Sequence, residues 1–159
     1  SGAAFNNPKN SLDSSDMEAN STRWRKAEIP AANGHGTARS LAKIYGALAN
    51  GGSRDGVHVL SPEIIELARQ TESDGKDLVL AQMHTRFGLG FMLGTEDVSM
   101  GPNKNSMGHG GAGGSLGFAD PDNNISLGFT MNQMHAGITA WKTATDVADS
   151  VYKTLSIKT

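Results

Sequence analysis

The chain has no cysteine in 159 residues, which rules out a disulfide framework and a thiolate metal site and leaves its compartment unknown by redox logic. No apolar run approaches the ~18 residues needed to cross a bilayer, and the N-terminus, Ser1-Gly2, precedes neither a basic n-region nor an apolar h-region. Neither sign of charge dominates. The 14 basic and 16 acidic residues give a net charge of −2 and are mixed along the chain, so there is no basic tract to follow phosphates and nucleic acid is not an expected partner. The five histidines show neither H-x-H nor H-x-x-x-H spacing. Without cysteine, a metal would need carboxylates gathered from afar, and no metal or other cofactor is expected.

What is present is ordinary for a globular protein, since the 37% of apolar residues becomes about half once the 20 glycines are added. Residues 1–23 are rich in Asn, Ser and Asp and read as a polar extended segment, with a folded portion over 24–159. Thr37 is a natural N-cap after Ile29-Pro30 and the glycines at 34 and 36. The apolar residues Leu41, Ile44, Tyr45 and Leu48 then predict a helix that Gly51-Gly52 stops. Ser61-Pro62-Glu63 opens a second helix, running to about Gln70.

Alternation over Phe87–Leu93 and over Ile125–Met131 predicts two half-buried strands. Between them Ser115–Ala119 and the turn formers Asp120-Pro121-Asp122-Asn123-Asn124 predict a hairpin, giving three consecutive antiparallel strands. Ala144, Val147, Ala148, Val151, Tyr152 and Leu155 recur at helical spacing, a stripe suited to one face of that sheet. The fold class expected is α+β, an antiparallel meander with flanking helices and a C-terminal helix packed on it.

The densest local signal is Gly108-His109-Gly110-Gly111-Ala112-Gly113-Gly114-Ser115-Leu116-Gly117, six glycines in ten residues. Each glycine inside a regular element costs roughly 0.5–1 kcal/mol relative to alanine, so this run suggests close approach of a ligand to bare backbone or special backbone angles. His109 sits within it with an accessible imidazole, or is a surface histidine beside a turn. Gly108-x-Gly110-x-x-Gly113 matches the dinucleotide fingerprint, which must open a helix, whereas here a strand and turn follow.

Gly113-Gly114-Ser115-Leu116-Gly117 fits the nucleophile elbow G-x-S-x-G, with Asp120 or Asp146 and His135 as candidate triad partners. An elbow needs a helix after its serine, and Phe118-Ala119-Asp120-Pro121 cannot start a long one. Ser40-Leu41-Ala42-Lys43 fits S-x-x-K. At about 100° per residue, however, Lys43 falls nearly opposite the apolar stripe, where it stays solvated and protonated.

Several stretches together resemble one known family: Asn33-Gly34-His35-Gly36-Thr37-Ala38-Arg39-Ser40-Leu41-Ala42, Leu48-Ala49-Asn50-Gly51-Gly52, Leu60-Ser61-Pro62-Glu63, Phe87-Gly88-Leu89-Gly90-Phe91 and Gly108-His109-Gly110-Gly111. They look like the C-terminal portion of the serine β-lactamase-related hydrolases, which include class C β-lactamases, penicillin-binding DD-peptidases and β-lactamase-like esterases. The resemblance covers roughly residues 24–155 and is strongest to the esterase-like branch. It implies a β-lactamase/transpeptidase-like fold, present as a partial domain.

It also implies that His109-Gly110-Gly111 occupies the place of the family's K-T-G strand. His109 would then hydrogen-bond substrate or leaving group, Gly110 and Gly111 would let substrate lie edge-on, and the Ala112 amide would serve the oxyanion hole. Asn132 would approach the substrate. The family's serine-lysine motif precedes the helix that starts at Thr37, so Ser40-Lys43 does not correspond to it. A Y-x-N or Y-x-S motif is missing, since Tyr45 precedes Gly46-Ala47 and Tyr152 precedes Lys153-Thr154.

The resemblance thus implies the C-terminal piece of a hydrolase acting on an ester, amide or β-lactam-like substrate through an acyl-serine supplied upstream, the isolated chain being silent. It further implies self-association or a contact with the missing N-terminal portion. The alternatives are a non-catalytic binding or assembly module on the same fold and an esterase using Ser115.

Overall fold

The computed structural model describes residues 20–30, 32–135 and 142–157, in two compact units that divide at Gly36 and Thr37. Most of the polar 1–23 segment lies outside the described residues. The first unit contains a short helix, α1 (Thr22–Lys26), absent from the sequence reading. Its N-cap Ser21 accepts a hydrogen bond from the Trp24 amide at 3.0 Å.

The second unit begins as expected. The Thr37 hydroxyl accepts from the Ser40 amide and opens α2 (Ala38–Ala49), and Gly51 and Gly52 follow it at φ +71° and +87°. Within α2, Leu48 is buried with Ala47 and Ala49, but Ile44 is 54% exposed, so the apolar stripe is narrower than its spacing implied. A small hairpin follows, β1 (Ser53–Arg54) and β2 (Val57–His58), turning on Asp55-Gly56 with both residues at positive φ. Ser61 caps α3 (Pro62–Ala68), which buries Ile65 and Ala68.

The remaining strands form one antiparallel six-stranded meander in sequence order: β3 (Ser73–Lys76), β4 (His84–Phe87), β5 (Met92–Leu93), β6 (Met107–Gly110), β7 (Leu116–Asp120) and β8 (Ile125–Phe129). The single strand expected over Phe87–Leu93 is in fact a hairpin, with Phe87 paired to Met92 and Arg86 to Leu93. The chain reverses because Gly88 presses against the carbonyls after α3 and Gly90 takes φ +80°. A Cβ on Gly88 would lie 2.0 Å from the Ala68 oxygen. The hairpin of β7 and β8 around Asp120–Asn124 forms as expected.

Helices cover both faces of this sheet. On one face α2 lies against β7 and β8. Gly128 makes this possible, since a Cβ there would meet the Ala38 carbonyl oxygen at 2.3 Å, and Ser126 Oγ donates to the Ala42 carbonyl at 3.0 Å. On the other face α4 (Lys142–Thr154) packs Ala144, Ala148 and Tyr152 onto Met92, Leu116 and Phe118. Val147 and Leu155, counted in its apolar stripe, are exposed.

The hub beneath α4 is polar. Asp120 is fully buried and accepts from the Asn103 and Asn123 side-chain amides at 2.8 Å each, from the Asp122 and Asn123 backbone amides, and from the Tyr152 hydroxyl. Burial first, and then the Asp120 carboxylate, push the Tyr152 phenol far above its ordinary value. A phenol raised in the folded state stabilises the fold below about pH 10, where the unfolded chain would titrate, and that stability is lost as pH climbs higher. Tyr45, also raised by burial, shares the effect. Tyr152→Phe is therefore expected to lower stability by about 1–2 kcal/mol at neutral pH and to shrink the alkaline loss, as read from urea midpoints across pH.

Candidate functional site

The glycine-rich run forms β6, a tight turn and the start of β7. His109 pairs with Gly117 and Gly110 with Leu116, and the Gly111 amide donates to the Ser115 carbonyl at 2.8 Å. The turn closes when the Gly114 amide donates to Gly111 at 3.0 Å, with Gly113 at φ +88°. A positive φ at the third position is the requirement of a type II turn, which places Ala112 second.

Strand alternation then fixes which groups face outward. Gly111 directs its amide toward β7, so the backbone groups of Gly110 point the other way. On that other side β5 accompanies β6 only through Met107 and Gly108. From His109 onward the outer edge of β6 carries no strand among the described residues, and the Ala112 amide donates to no group among them. Of these residues His109 is exposed, Gly111 and Ala112 are half-buried and Gly110 is buried, so the Ala112 amide is the backbone donor left open at the end of this central strand.

His109 is exposed, and its Nδ1 lies 2.6 Å from the Gly110 carbonyl oxygen. Since a carbonyl only accepts, Nδ1 carries the proton, and in the neutral ring Nε2 is left as the free nitrogen. The Phe87 ring stands 6.2 Å away, tilted by 46°. On the α2 face, Tyr45 lies over Gly117, the register partner of His109: a Cβ on Gly117 would come within 2.4 Å of the Tyr45 ring. Tyr45 meets Phe91 edge to face at 6.4 Å. This aromatic wall was not legible in the sequence, where Tyr45 counted as part of a helical stripe and as a tyrosine without the Y-x-N or Y-x-S pattern. Burial pushes the Tyr45 phenol up, the reverse of what a proton-accepting tyrosine requires.

Asn132 is exposed just past β8 and lines a cavity of about 430 Å³ together with Gly114, Phe129, His135 and Thr143. The His135 amide donates to the Gly113 carbonyl at 3.0 Å, which ties this segment to the glycine turn. Asn132 therefore adjoins the turn on the Gly114 side and is not among the residues that line the open edge with His109.

The competing motifs are not assembled. Ser115 is followed by β7 and not by a helix, Asp120 is committed to its buried network, and Asp146 pairs with Lys142 at 2.6 Å. Ser40 Oγ lies 3.0 Å from the Thr37 hydroxyl in the cap of α2, while Lys43 is exposed. Among the described residues no group of three or more His, Asp or Glu could hold a metal, and no helix is long and apolar enough to cross a membrane.

Residues 2–149 match the protein family described as Beta-lactamase. The chain is 40% identical over 109 residues to the Esterase/beta-lactamase LipL of Mycobacterium tuberculosis, an alignment covering 68% of this chain and 24% of that protein. Among solved structures it is similar to a family VIII carboxylesterase, with a TM-score of 0.78 and 38% identity over 84% of this chain and 36% of that one. It is similar in the same degree, with a TM-score of 0.78 and 37% identity over 84% of this chain and 36% of that one, to a penicillin-binding protein homologue from Caulobacter crescentus. The chain thus spans about a quarter of the curated relative and about a third of each of these structures.

Proposed function

This chain belongs to the beta-lactamase family, with a β-lactamase/transpeptidase-like fold of which it covers a part, and from that premise we propose that it forms one wall of a serine hydrolase cleft. The nucleophilic serine and its lysine and tyrosine partners come from residues outside this sequence. The observation that carries the reading is the end of β6, where no strand pairs on the outer side beyond Gly108 and the Ala112 amide has no acceptor among the described residues.

In this mechanism the substrate's acyl chain lies along that edge, where the lack of side chains at Gly110 and Gly111 allows backbone contact. The carbonyl oxygen takes its hydrogen bond from the Ala112 amide and, as charge develops on it, from the nucleophile's own amide. His109 Nε2 faces substrate or leaving group as an acceptor while Nδ1 is held by Gly110. Asn132 lies beyond the glycine turn and contacts substrate groups distal to the scissile bond. The relatives' names pair ester with β-lactam chemistry, and the substrate class proposed is a carboxylic ester, amide or β-lactam.

The partner is the portion of the longer hydrolase outside this sequence. It is expected to cover the outer edge of β8 and the shallow groove of about 500 Å³ that Val147, Val151 and Leu155 form on α4. Alone, the chain is expected to self-associate through the same surface, which light scattering would read as a concentration-dependent mass.

Turnover of a short-chain p-nitrophenyl ester and of a chromogenic cephalosporin tests the assignment. The longer protein should hydrolyse at least one of them and the 159-residue chain neither. Hydrolysis by this chain alone would overturn the assignment, and binding without turnover by the longer protein would replace it with a docking module.

A further inference from the structure

A third pocket, of about 320 Å³, gathers three cationic side chains, Arg69 after α3, Arg86 on β4 and Lys104 before β6. None of its lining residues belongs to the glycine-rich run. Two carboxylates are near and both answer Arg69: Glu66 at 2.9 Å and Asp122 at 3.2 Å. Asp122 is further engaged by the Asn105 and Asn103 side-chain amides, which together with Arg69 hold its carboxyl below the ordinary range.

Arg86 and Lys104 are left unanswered. Arg86 Nε is removed from solvent with no hydrogen-bond partner among the described residues, and neither side chain forms an ion pair there. A buried guanidinium N–H without an acceptor is rare in a folded protein, because losing water without gaining a partner is unfavourable. The Nε edge of a guanidinium presents parallel N–H groups matched to two oxygens of one anion, and a lysine beside it adds a point charge. The lining is otherwise polar, Leu93 apart, which does not suit an apolar ligand.

We propose that this pocket binds a small oxoanion, a phosphate or carboxylate group, on the Arg86 guanidinium, which turns to bring its enclosed Nε–H to the anion, with the remaining charge facing Lys104. The group comes either from a free anion or from a carboxylate side chain of the longer protein, a distinction that rests on the cleft-wall reading above, whereas the pocket itself does not.

The test is thermal unfolding of the chain in inorganic phosphate against sodium chloride at matched ionic strength. A saturable phosphate-specific rise in Tm is expected. Lys104→Gln and Arg86→Lys should each weaken the apparent phosphate affinity about tenfold, the loss of one charge-assisted contact. Arg86→Met should be at least as stable as the parent without phosphate and less stable with it, because the methionine removes the orphaned donor along with the ligand's anchor.

No phosphate-specific rise, or the same rise in Lys104→Gln and Arg86→Met, overturns the proposal. The same titration on the longer protein then identifies the source. A rise there too means a free anion, and a rise confined to the 159-residue chain means an internal carboxylate already fills the site.

Discussion

Asp120→Ala is expected to lower stability by about 3–5 kcal/mol, a large part of the 5–15 kcal/mol typical of a domain. The carboxylate is fully buried and collects five donors: the Asn103 and Asn123 side-chain amides, the Asp122 and Asn123 backbone amides, and the Tyr152 hydroxyl. Alanine takes the acceptor from the other four while Asn103 keeps Asp122, in a site closed by α4, and each orphaned buried donor costs about 1–3 kcal/mol before relaxation and water entry reduce the sum.

The same five bonds hold together the β7–β8 turn, the loop before β6 and the C-terminal helix, so no single element can relax alone. At about 2–4 °C per kcal/mol for a chain of this size, Tm should fall by roughly 6–20 °C. A midpoint within about 1 kcal/mol of the parent would mean that the network follows packing and does not direct it.

Ala112→Pro is expected to lower kcat of the longer hydrolase by about 10²–10³-fold, the usual effect of removing one oxyanion donor. The substitution deletes the N–H and little else, because Ala112 is the second residue of the Gly111–Gly114 turn, where the fixed φ of proline is favoured. Gly111, now before a proline, is already extended against Ser115 and so avoids the helical region that proline disfavours. Ala112→Gly keeps the amide and should stay near the parent rate. A folded Ala112→Pro variant with unchanged kcat would move the oxyanion donor elsewhere.

The elements legible in the sequence were those announced by local chemistry. Thr37 and Ser61 cap their helices, and Asp120–Asn124 turns β7 into β8, because a cap or a turn is decided within a few residues. What stayed hidden depends on distant partners. Phe87–Leu93 alternates like one strand, and only the crowding of Gly88 against the end of α3 reverses the chain there. β3 has four exposed residues, Ser73, Asp74, Gly75 and Lys76, none of them with an apolar side chain, and thus no pattern to read, and Asp55-Gly56 was a hairpin signal with too little flanking apolar sequence to stand out.

The site divides the same way. Six glycines marked the run, but that the backbone groups of Gly110 point away from β7 while Gly111 bonds to it follows from register. The role of Asp120 as a buried hub, and the aromatic wall of Tyr45 beside Gly117, likewise appear only once α4 and α2 close on the sheet.

Fluorophosphonate labelling with peptide mass mapping, on this chain and on the longer hydrolase, tests the cleft-wall account most directly, because it asks every serine whether it is activated. The account predicts no label on the 159-residue chain and a single label on the longer protein at a serine outside this sequence. Label on Ser115 or Ser40 would contradict it.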